Sequence, residues 1–214
     1  MIFITQNESC KQHLAGMEKQ FWNTRYAENK TVYGTQPNIF FKQFIDTHKP
    51  GTLLLPAEGE GRNAVYAAKK GWQVDAFDFS EVAREKALQM ANSQNVQINY
   101  WVEDMAAFTA TKTYDAVGLI YVHLPEGVRQ VFHEHTFHSL KSGGYLVLEA
   151  FAKEQIHFTS GGPKDNSLLY SAPMICGDFP FLHLLSCGQK EIDLSEGEFH
   201  KGKAAVLQMV GQKL

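Results

Sequence analysis

Residues 52–80, TLLLPAEGEGRNAVYAAKKGWQVDAFDFS, contain the features that decide the fold of this chain. The apolar run at residues 53–55 is typical of a short buried strand. A loop with two glycines follows, and residues 62–70 have the composition of a helix that a glycine ends. A second predicted strand, residues 73–77, is followed directly by Asp78. The stretch therefore predicts a strand, loop, helix, strand unit with an acidic residue at the tip of its second strand.

Two features of this unit indicate a ligand that contains a ribose. Gly59 and Gly61 let the backbone approach a ligand closely, and amide groups at the helix start favour electron-rich groups. The carboxylate of Asp78 can accept hydrogen bonds from ribose hydroxyls. The spacing Gly59-x-Gly61-x-x-Ala64 also matches the dinucleotide fingerprint, so a nicotinamide cofactor and a purely structural turn are alternatives at this point.

The composition is that of an ordinary globular protein. The 214 residues suit one domain with a sizeable core, and the net charge of −3 does not favour nucleic-acid binding. No apolar run is long enough to span a bilayer, and the N-terminus lacks the pattern of an export signal, so we expect a cytoplasmic protein. The three cysteines show no CxxC spacing and are expected to be free thiols.

The rest of the chain alternates predicted helices and strands, which indicates an α/β protein. Residues 1–16 are expected to be an extension that precedes a single domain, residues 17–214. The predicted helices are residues 18–27, 37–48, 80–93 and 125–141, the last with Gly143 just beyond its end. The further predicted strands are residues 96–102, 114–122, 144–152, 181–194 and 198–210. This order predicts a Rossmann-like, seven-stranded, mostly parallel sheet with helices on both faces and an antiparallel C-terminal hairpin.

The alternating units, the glycine loop, Asp78, Asp104 and the closing hairpin together resemble class I S-adenosylmethionine-dependent methyltransferases. The resemblance extends from about residue 18 to the C-terminus. Within that class the chain is similar to the small bacterial tellurite-resistance and thiopurine-methyltransferase-like enzymes. The motifs that carry this similarity are Phe21-Trp22-x-x-Arg25-Tyr26, Tyr33-Gly34, EGEGRN at residues 58–63 and SGGPK at residues 160–164.

This resemblance implies S-adenosylmethionine as the cofactor and methyl transfer to a small-molecule acceptor, with a soft sulfur, selenium or tellurium nucleophile favoured. No nucleic-acid or membrane partner is expected, and the protein is expected to be a monomer or a homodimer. The irregular residues 153–170 and the segment around Tyr33 are expected to form lids over the site.

The resemblance also implies roles for individual residues. Asp78 would hold both ribose hydroxyls, and Asp104 would accept a hydrogen bond from the adenine amino group. Phe79 and Met105 would sandwich the adenine ring, and Arg25 is a candidate for the cofactor carboxylate. The other predicted cofactor contacts come from the N-terminal helix and lid, the glycine loop and the end of the fourth strand: Trp22, Tyr33, Ala57, Glu58, Gly59, Gly61, Asn63 and Tyr121.

The chain departs from the class pattern at two positions. The class usually carries an acid late in the first strand, where this chain has Leu55, and Ala57 stands in place of the first loop glycine. Glu58 is expected to supply the missing negative charge near the cofactor ammonium group; the alternative is weaker cofactor binding. A non-catalytic cofactor-binding protein is therefore an alternative function.

Two residues are candidates for catalysis. His123 follows the predicted fourth strand, and its imidazole can accept a proton near neutral pH, so it is a candidate general base or acceptor-orienting group. The alternative for His123 is a structural histidine. Tyr33, in the predicted lid, is the second candidate. Histidines cluster in the predicted helix 125–141, but we predict no metal site there and expect His135 to pack in the core.

Overall fold

Seven strands form one sheet in the computed structural model, which describes residues 20–28 and 31–214; the predicted extension lies outside the described residues. The strands are β1 (Thr52–Pro56), β2 (Gln73–Asp78), β3 (Asn99–Val102), β4 (Tyr114–Ile120), β5 (Leu140–Phe151), β6 (Leu182–Ser195) and β7 (Lys201–Lys213). Their order is β3-β2-β1-β4-β5-β7-β6, in which β1 to β5 are parallel and β7 is antiparallel to both β5 and β6. This order confirms the predicted Rossmann-like sheet and its closing hairpin.

The helices connect the strands in the predicted alternation. They are α1 (residues 20–28), α2 (Ile39–Thr47), α3 (Arg62–Lys69), α4 (Glu81–Ser93), α5 (Glu126–His138) and α6 (Ala172–Asp178). Short 3₁₀ turns, Lys153–His157 and Asn166–Leu168, interrupt the long segment between β5 and α6. Within the part of the chain that the structure describes, no helix is long and apolar enough to cross a membrane.

The sheet separates two apolar cores because successive side chains of a strand point to opposite faces. In β1, Leu54 belongs to the core that Phe132 of α5 also joins. Its neighbours Leu53 and Leu55 belong to the opposite core, together with Phe41 of α2. Burial on both faces explains why β1 is an uninterrupted apolar run rather than an alternating one.

The largest boundary error in the sequence prediction is at the end of α5. The helix ends at His138, and β5 begins almost at once, where Tyr114 pairs with Leu140. Gly143, predicted to follow the helix, lies inside β5 with a φ of 78°, next to a register shift between β4 and β5. The glycine therefore serves a bulge in the sheet and not a helix end.

Other boundaries shift by a few residues. β3 begins at Asn99 rather than residue 96, and β4 ends at Ile120 rather than residue 122. Tyr121 has a φ of 56°, which is incompatible with a continuing strand and ends β4 at the sheet edge. The hairpin strands also lie a few residues later than predicted, with the largest shift in β7.

Buried charges connect α5 to α6. Asp178 accepts a hydrogen bond from Arg129 Nε at 2.7 Å, and its carboxylate lies 2.8 Å from His133 Nδ1. His133 is 1% exposed, whereas His135 is only half-buried. The core histidine of α5 is therefore His133 and not the predicted His135.

Candidate active site

A cavity of about 560 Å³ lies at the edge of the sheet where the parallel strands β1 to β4 end. Residues just beyond these strands line it: Ala57 after β1, Phe79 after β2, Asp104 after β3 and Tyr121 after β4. Ligands of open α/β sheets bind beyond the carboxyl ends of the strands. This cavity is therefore the candidate active site.

Every predicted site residue except Gly61 lines the cavity. These residues are Trp22, Arg25, Tyr33, Ala57, Glu58, Gly59, Asn63, Asp78, Phe79, Asp104, Met105, Tyr121 and His123. Gly61 instead lies where α3 packs on α4, with a φ of 85°, and a Cβ atom there would be 2.6 Å from Ala87 Cβ. This close approach explains why a glycine stands there, and a contact between Gly61 and the cofactor stays a prediction.

The loop after β1 keeps a glycine-like backbone although its first residue is alanine. Ala57 has a φ of 50°, the left-handed region that side chains rarely adopt. Gly59 has a φ of 63°, and a Cβ atom there would be 2.9 Å from the Tyr26 hydroxyl oxygen. The Tyr100 hydroxyl donates to the Gly59 carbonyl at 2.7 Å and holds the loop from the other side. The alanine therefore preserves the loop conformation at the expense of local strain.

The carboxylate of Glu58 is bonded to the start of α3. Its Oε1 atom accepts from the backbone N–H groups of Asn63 and Ala64, both at 2.8 Å, and Oε2 accepts from Asn63 Nδ2 at 3.3 Å. Burial raises the pKa of Glu58 to about 7. The Glu58 carboxylate therefore binds the free N–H groups at the start of α3 and also borders the cavity, and its predicted place near the cofactor ammonium group stays a prediction.

Asp78 connects the glycine loop to the start of α4. Its Oδ2 atom accepts from Gly59 N at 3.2 Å, and Oδ1 accepts from Ser80 N at 2.9 Å. The residue is 2% exposed, and burial raises the pKa of its carboxyl group to about 6. A carboxylate offers about four lone-pair sites, so Asp78 can still accept hydrogen bonds from a ligand in the cavity.

The residues beyond β3 form a more open end of the cavity. Asp104 is exposed, and its Oδ1 atom accepts from Ala106 N at 2.8 Å. Phe79 and Met105 are half-buried and also line the cavity. Two apolar side chains beside an acceptor suit a flat aromatic ring that carries an amino group.

Residues of α1 and of the segment before α2 line one side of the cavity, and buried polar contacts hold them there. Glu60 accepts from Val32 N at 2.6 Å and pairs with Lys86 at 3.0 Å. Burial raises the pKa of Tyr33, while the charge and hydrogen bond of Arg25 oppose this effect. Arg25 therefore lies within hydrogen-bonding distance of Tyr33, and both side chains line the cavity.

His123 uses both ring nitrogens within the protein. Its Nδ1–H donates to the Leu168 carbonyl at 2.7 Å, and Nε2 accepts from Phe151 N at 3.2 Å. Burial lowers the pKa of His123 to about 4. The imidazole is therefore neutral at physiological pH with both nitrogens engaged, which favours the structural alternative over a general base.

Sequence reasoning missed His200, which lies in the turn between β6 and β7. Its ring is 5% exposed, lines the cavity, and lies 4.4 Å from the Tyr33 ring and 4.7 Å from the Tyr121 ring. Its Nδ1 atom is 3.5 Å from Glu196 Oε2. One histidine in a predicted hairpin carries no sequence signal, whereas Gly162 and Pro163, which line the cavity, belong to the segment 153–170 that was expected near the site.

A buried polar network supports this side of the cavity. Asn38 Nδ2 donates to Glu149 Oε1 at 2.6 Å and to Glu196 Oε1 at 3.1 Å. The Tyr121 hydroxyl donates to the same Glu149 oxygen at 2.8 Å. The network therefore fixes Tyr121, whose backbone is in a left-handed conformation, at the end of β4. Within the described residues, no three His, Cys, Asp or Glu side chains are placed to hold a metal ion.

The sequence matches one family model, described as a methyltransferase domain, over residues 56–144. The matched region begins at the last residue of β1 and ends within β5. It therefore contains the glycine loop, Asp78, Asp104 and His123. Among curated proteins, none matches the sequence significantly.

Solved structures show the same fold at low sequence identity. TehB from Haemophilus influenzae has a TM-score of 0.69 and 16% identity, covering 92% of this chain and 67% of that one. The N-methyltransferase NodS from Bradyrhizobium japonicum, in complex with S-adenosyl-L-homocysteine, has a TM-score of 0.70 and 12% identity, with coverages of 91% and 97%. Magnesium protoporphyrin IX methyltransferase from Synechocystis, with bound S-adenosylmethionine, has a TM-score of 0.67 and 16% identity, with coverages of 93% and 96%. The fold is therefore that of class I methyltransferases.

Proposed function

We propose that this chain, whose residues 56–144 form an S-adenosylmethionine-dependent methyltransferase domain, methylates a small-molecule acceptor. The observation that carries the proposal is the position of Asp78. Its buried carboxylate meets the glycine loop at the cavity edge and has acceptor capacity left for two ribose hydroxyls. S-adenosylmethionine also fits the apolar side chains of Phe79 and Met105, beyond β2 and β3, and the volume of the cavity.

The protein's own residues would bind and orient the reactants. Asp78 would hold the ribose, and Phe79, Met105 and Asp104 would hold the adenine. Arg25 is the candidate for the carboxylate of the methionine part, because guanidinium pairs well with carboxylate. When bound, S-adenosylmethionine supplies a methyl group on a positively charged sulfur. The two segments expected to be lids, residues 153–170 and the segment around Tyr33, would then exclude water and align the acceptor with that methyl group.

Calorimetry tests the cofactor. We expect saturable binding of S-adenosylhomocysteine and no binding of NADH, because the fold and the matched domain favour the methyltransferase cofactor over the nicotinamide alternative. S-adenosylhomocysteine is the better probe since it cannot be consumed. Saturable NADH binding without any response to S-adenosylhomocysteine would contradict the proposal.

Cofactor binding should also depend on pH through Asp78. Burial raises the pKa of this group to about 6, so the free protein carries a neutral carboxyl group below that pH. The ionised form is the better acceptor for two hydroxyls. We therefore expect S-adenosylhomocysteine affinity to fall as pH decreases from 7 to 5, approaching about tenfold per pH unit below the pKa.

Two variants show whether Asp78 or the neighbouring Glu58 causes this pH dependence of S-adenosylhomocysteine affinity. Asp78→Asn should bind more weakly at pH 7 and show a flat profile. Glu58→Gln should keep the slope, because the Glu58 carboxylate is bonded to the start of α3. A slope that persists in Asp78→Asn would assign the pH dependence to another group.

We propose a soft sulfur, selenium or tellurium nucleophile as the acceptor. The support is the state of His123, whose two nitrogens are occupied by Leu168 and Phe151. A thiolate or a reduced selenium or tellurium oxyanion already carries the lone pair that attacks the methyl group, so it needs no general base. Tyr33 is proposed to position the acceptor, because its ring lines the cavity beside His200.

A panel of thiols, small amines and reduced selenium and tellurium oxyanions tests the acceptor. With the best soft acceptor, His123→Gln should retain kcat within about tenfold and keep the shape of the pH profile, since glutamine can both donate and accept. Loss of a general base would lower the rate about 10²–10⁴-fold. A loss of that size would show that His123 acts in catalysis, and turnover of amines alone would exclude the soft acceptor.

The cytoplasmic location, the monomer or homodimer state and the single domain over residues 17–214 stay predictions.

A further inference from the structure

Two cysteines on neighbouring elements face each other outside the cavity. Cys176 of α6 and Cys187 of β6 are free thiols whose Sγ atoms are 3.3 Å apart. Both residues are partly exposed to solvent. A disulfide bond is about 2.0 Å long, so a small movement of either side chain brings the sulfurs to bonding distance.

The environment of Cys187 affects the reactivity of its thiol. Burial, followed by the hydrogen bond with Cys176, raises the pKa of Cys187 to about 11. The thiolate is the reactive form of cysteine, so burial and the contact with Cys176 slow the reaction of the Cys187 thiol.

A crosslink at α6 would affect the preceding segment, residues 153–170. The helix directly follows that segment, which carries Leu168 on the cavity wall and the buried Tyr170. The Tyr170 hydroxyl accepts from Leu124 N at 2.7 Å. At its other end, α6 is held to α5 by Asp178. A bond from Cys176 to β6 would therefore fix the helix that directly follows residues 153–170.

We propose that Cys176 and Cys187 are a thiol-oxidation site, at which a peroxide forms a reversible disulfide that fixes α6 to β6. In the first step the thiolate of one cysteine attacks hydrogen peroxide and the O–O bond breaks, which gives a sulfenic acid and a hydroxide ion. The hydroxide takes up the proton that the thiol had lost and becomes water. In the second step the thiol of the other cysteine attacks the sulfenic sulfur, which releases a second water and leaves the S–S bond. Two thiols and one peroxide thus give one disulfide and two waters.

Thiol counting and peptide mapping on the full chain test this site. The chain has three cysteines, and the third, Cys10, lies outside the described residues. After equimolar hydrogen peroxide, free thiols should fall from three to one, and a non-reducing digest should contain the Cys176 peptide linked to the Cys187 peptide. Dithiothreitol should restore all three thiols. Sulfinic acid or a crosslink through Cys10 in place of this pair would overturn the proposal.

Thermal unfolding and proteolysis test what the bond does. The disulfide should raise the Tm of the oxidised protein by about 5 °C, because the bond restricts the unfolded chain between the two cysteines. Trypsin cleavage after the exposed Lys164 should become slower, because the disulfide fixes the C-terminal end of the segment 153–170 that contains this lysine. Cys176→Ser and Cys187→Ser should lose both effects, and the matched Cys10→Ser should keep them.

The affinity for S-adenosylhomocysteine should not change on oxidation, so this test does not depend on the proposed function. A linked protein with unchanged Tm and cleavage would overturn the structural effect.

Discussion

Replacement of Asp78 by alanine is expected to weaken S-adenosylhomocysteine binding by about 1–3 kcal/mol, because two ribose hydroxyls lose a charged acceptor. The structure adds a second effect that the sequence did not predict. The carboxylate also accepts from Gly59 N and Ser80 N, so alanine leaves two backbone donors without their partner. We therefore expect Asp78→Ala to lower the free energy of unfolding as well, by about 1–3 kcal/mol.

Comparison with Asp78→Asn separates the two effects. Asparagine keeps the shape and one acceptor oxygen, so it should stay closer to the parent in stability while it still binds the ligand more weakly. Asp115→Asn is the matched control, because Asp115 lies at the start of β4, outside the cavity lining, and pairs with Lys141 at the surface. Calorimetry on all three variants decides the role. If both Asp78 variants bind as tightly as the parent, Asp78 is not the ribose acid.

The order of elements could be predicted from sequence because it is set by local patterns. Apolar runs such as residues 53–55 identify buried strands, and Ser80 marks the start of α4 as a side-chain cap. The end of α5 was predicted wrongly because the bulge at Gly143 depends on pairing between β4 and β5. Such pairing is a long-range property that one local glycine does not report.

In the candidate site too, positions that follow from local patterns could be predicted, and those that depend on distant parts of the chain could not. Residues that follow strand ends were found because parallel strands place their carboxyl ends at one edge. The roles of Glu58 and His123 depend on where their hydrogen bonds go. His123 bonds to Leu168 and Phe151, which are 45 and 28 residues away in sequence. His200 reaches the cavity only because β6 and β7 close the sheet, and nothing near it in the sequence indicates this position.

The pair formed by Arg62 and Glu196 joins α3 to the closing hairpin, and its loss should have the largest effect on stability. Arg62 Nη2 donates to Glu196 Oε2 at 2.8 Å, and the two side chains are only 8% and 7% exposed. Burial acts to raise the pKa of Glu196, but His200 and Arg62 overcome this effect and lower it. Glu196 is therefore ionised in the folded protein and requires a buried partner.

Arg62→Met should lower the free energy of unfolding by about 3–5 kcal/mol, since it leaves a buried carboxylate without its cation. Urea unfolding monitored by tryptophan fluorescence measures this change. Adding Glu196→Gln to Arg62→Met should recover part of the loss, because the unpaired charge is then removed. Lys42→Met is the matched surface control: its partner is Asp46, both side chains are more exposed, and its loss should be below about 1 kcal/mol.

Arg62 also supports the wall of the cavity. Its Nη1 atom donates to the carbonyls of Tyr33 and Gln36, both at 3.3 Å, so the guanidinium holds the segment that precedes α2. Arg62→Met should therefore weaken S-adenosylhomocysteine binding even where the protein is fully folded, and the Glu196→Gln addition should not restore it. A variant that loses no more stability than Lys42→Met, or one that binds the ligand as the parent does, would show that this buried pair does not support the site.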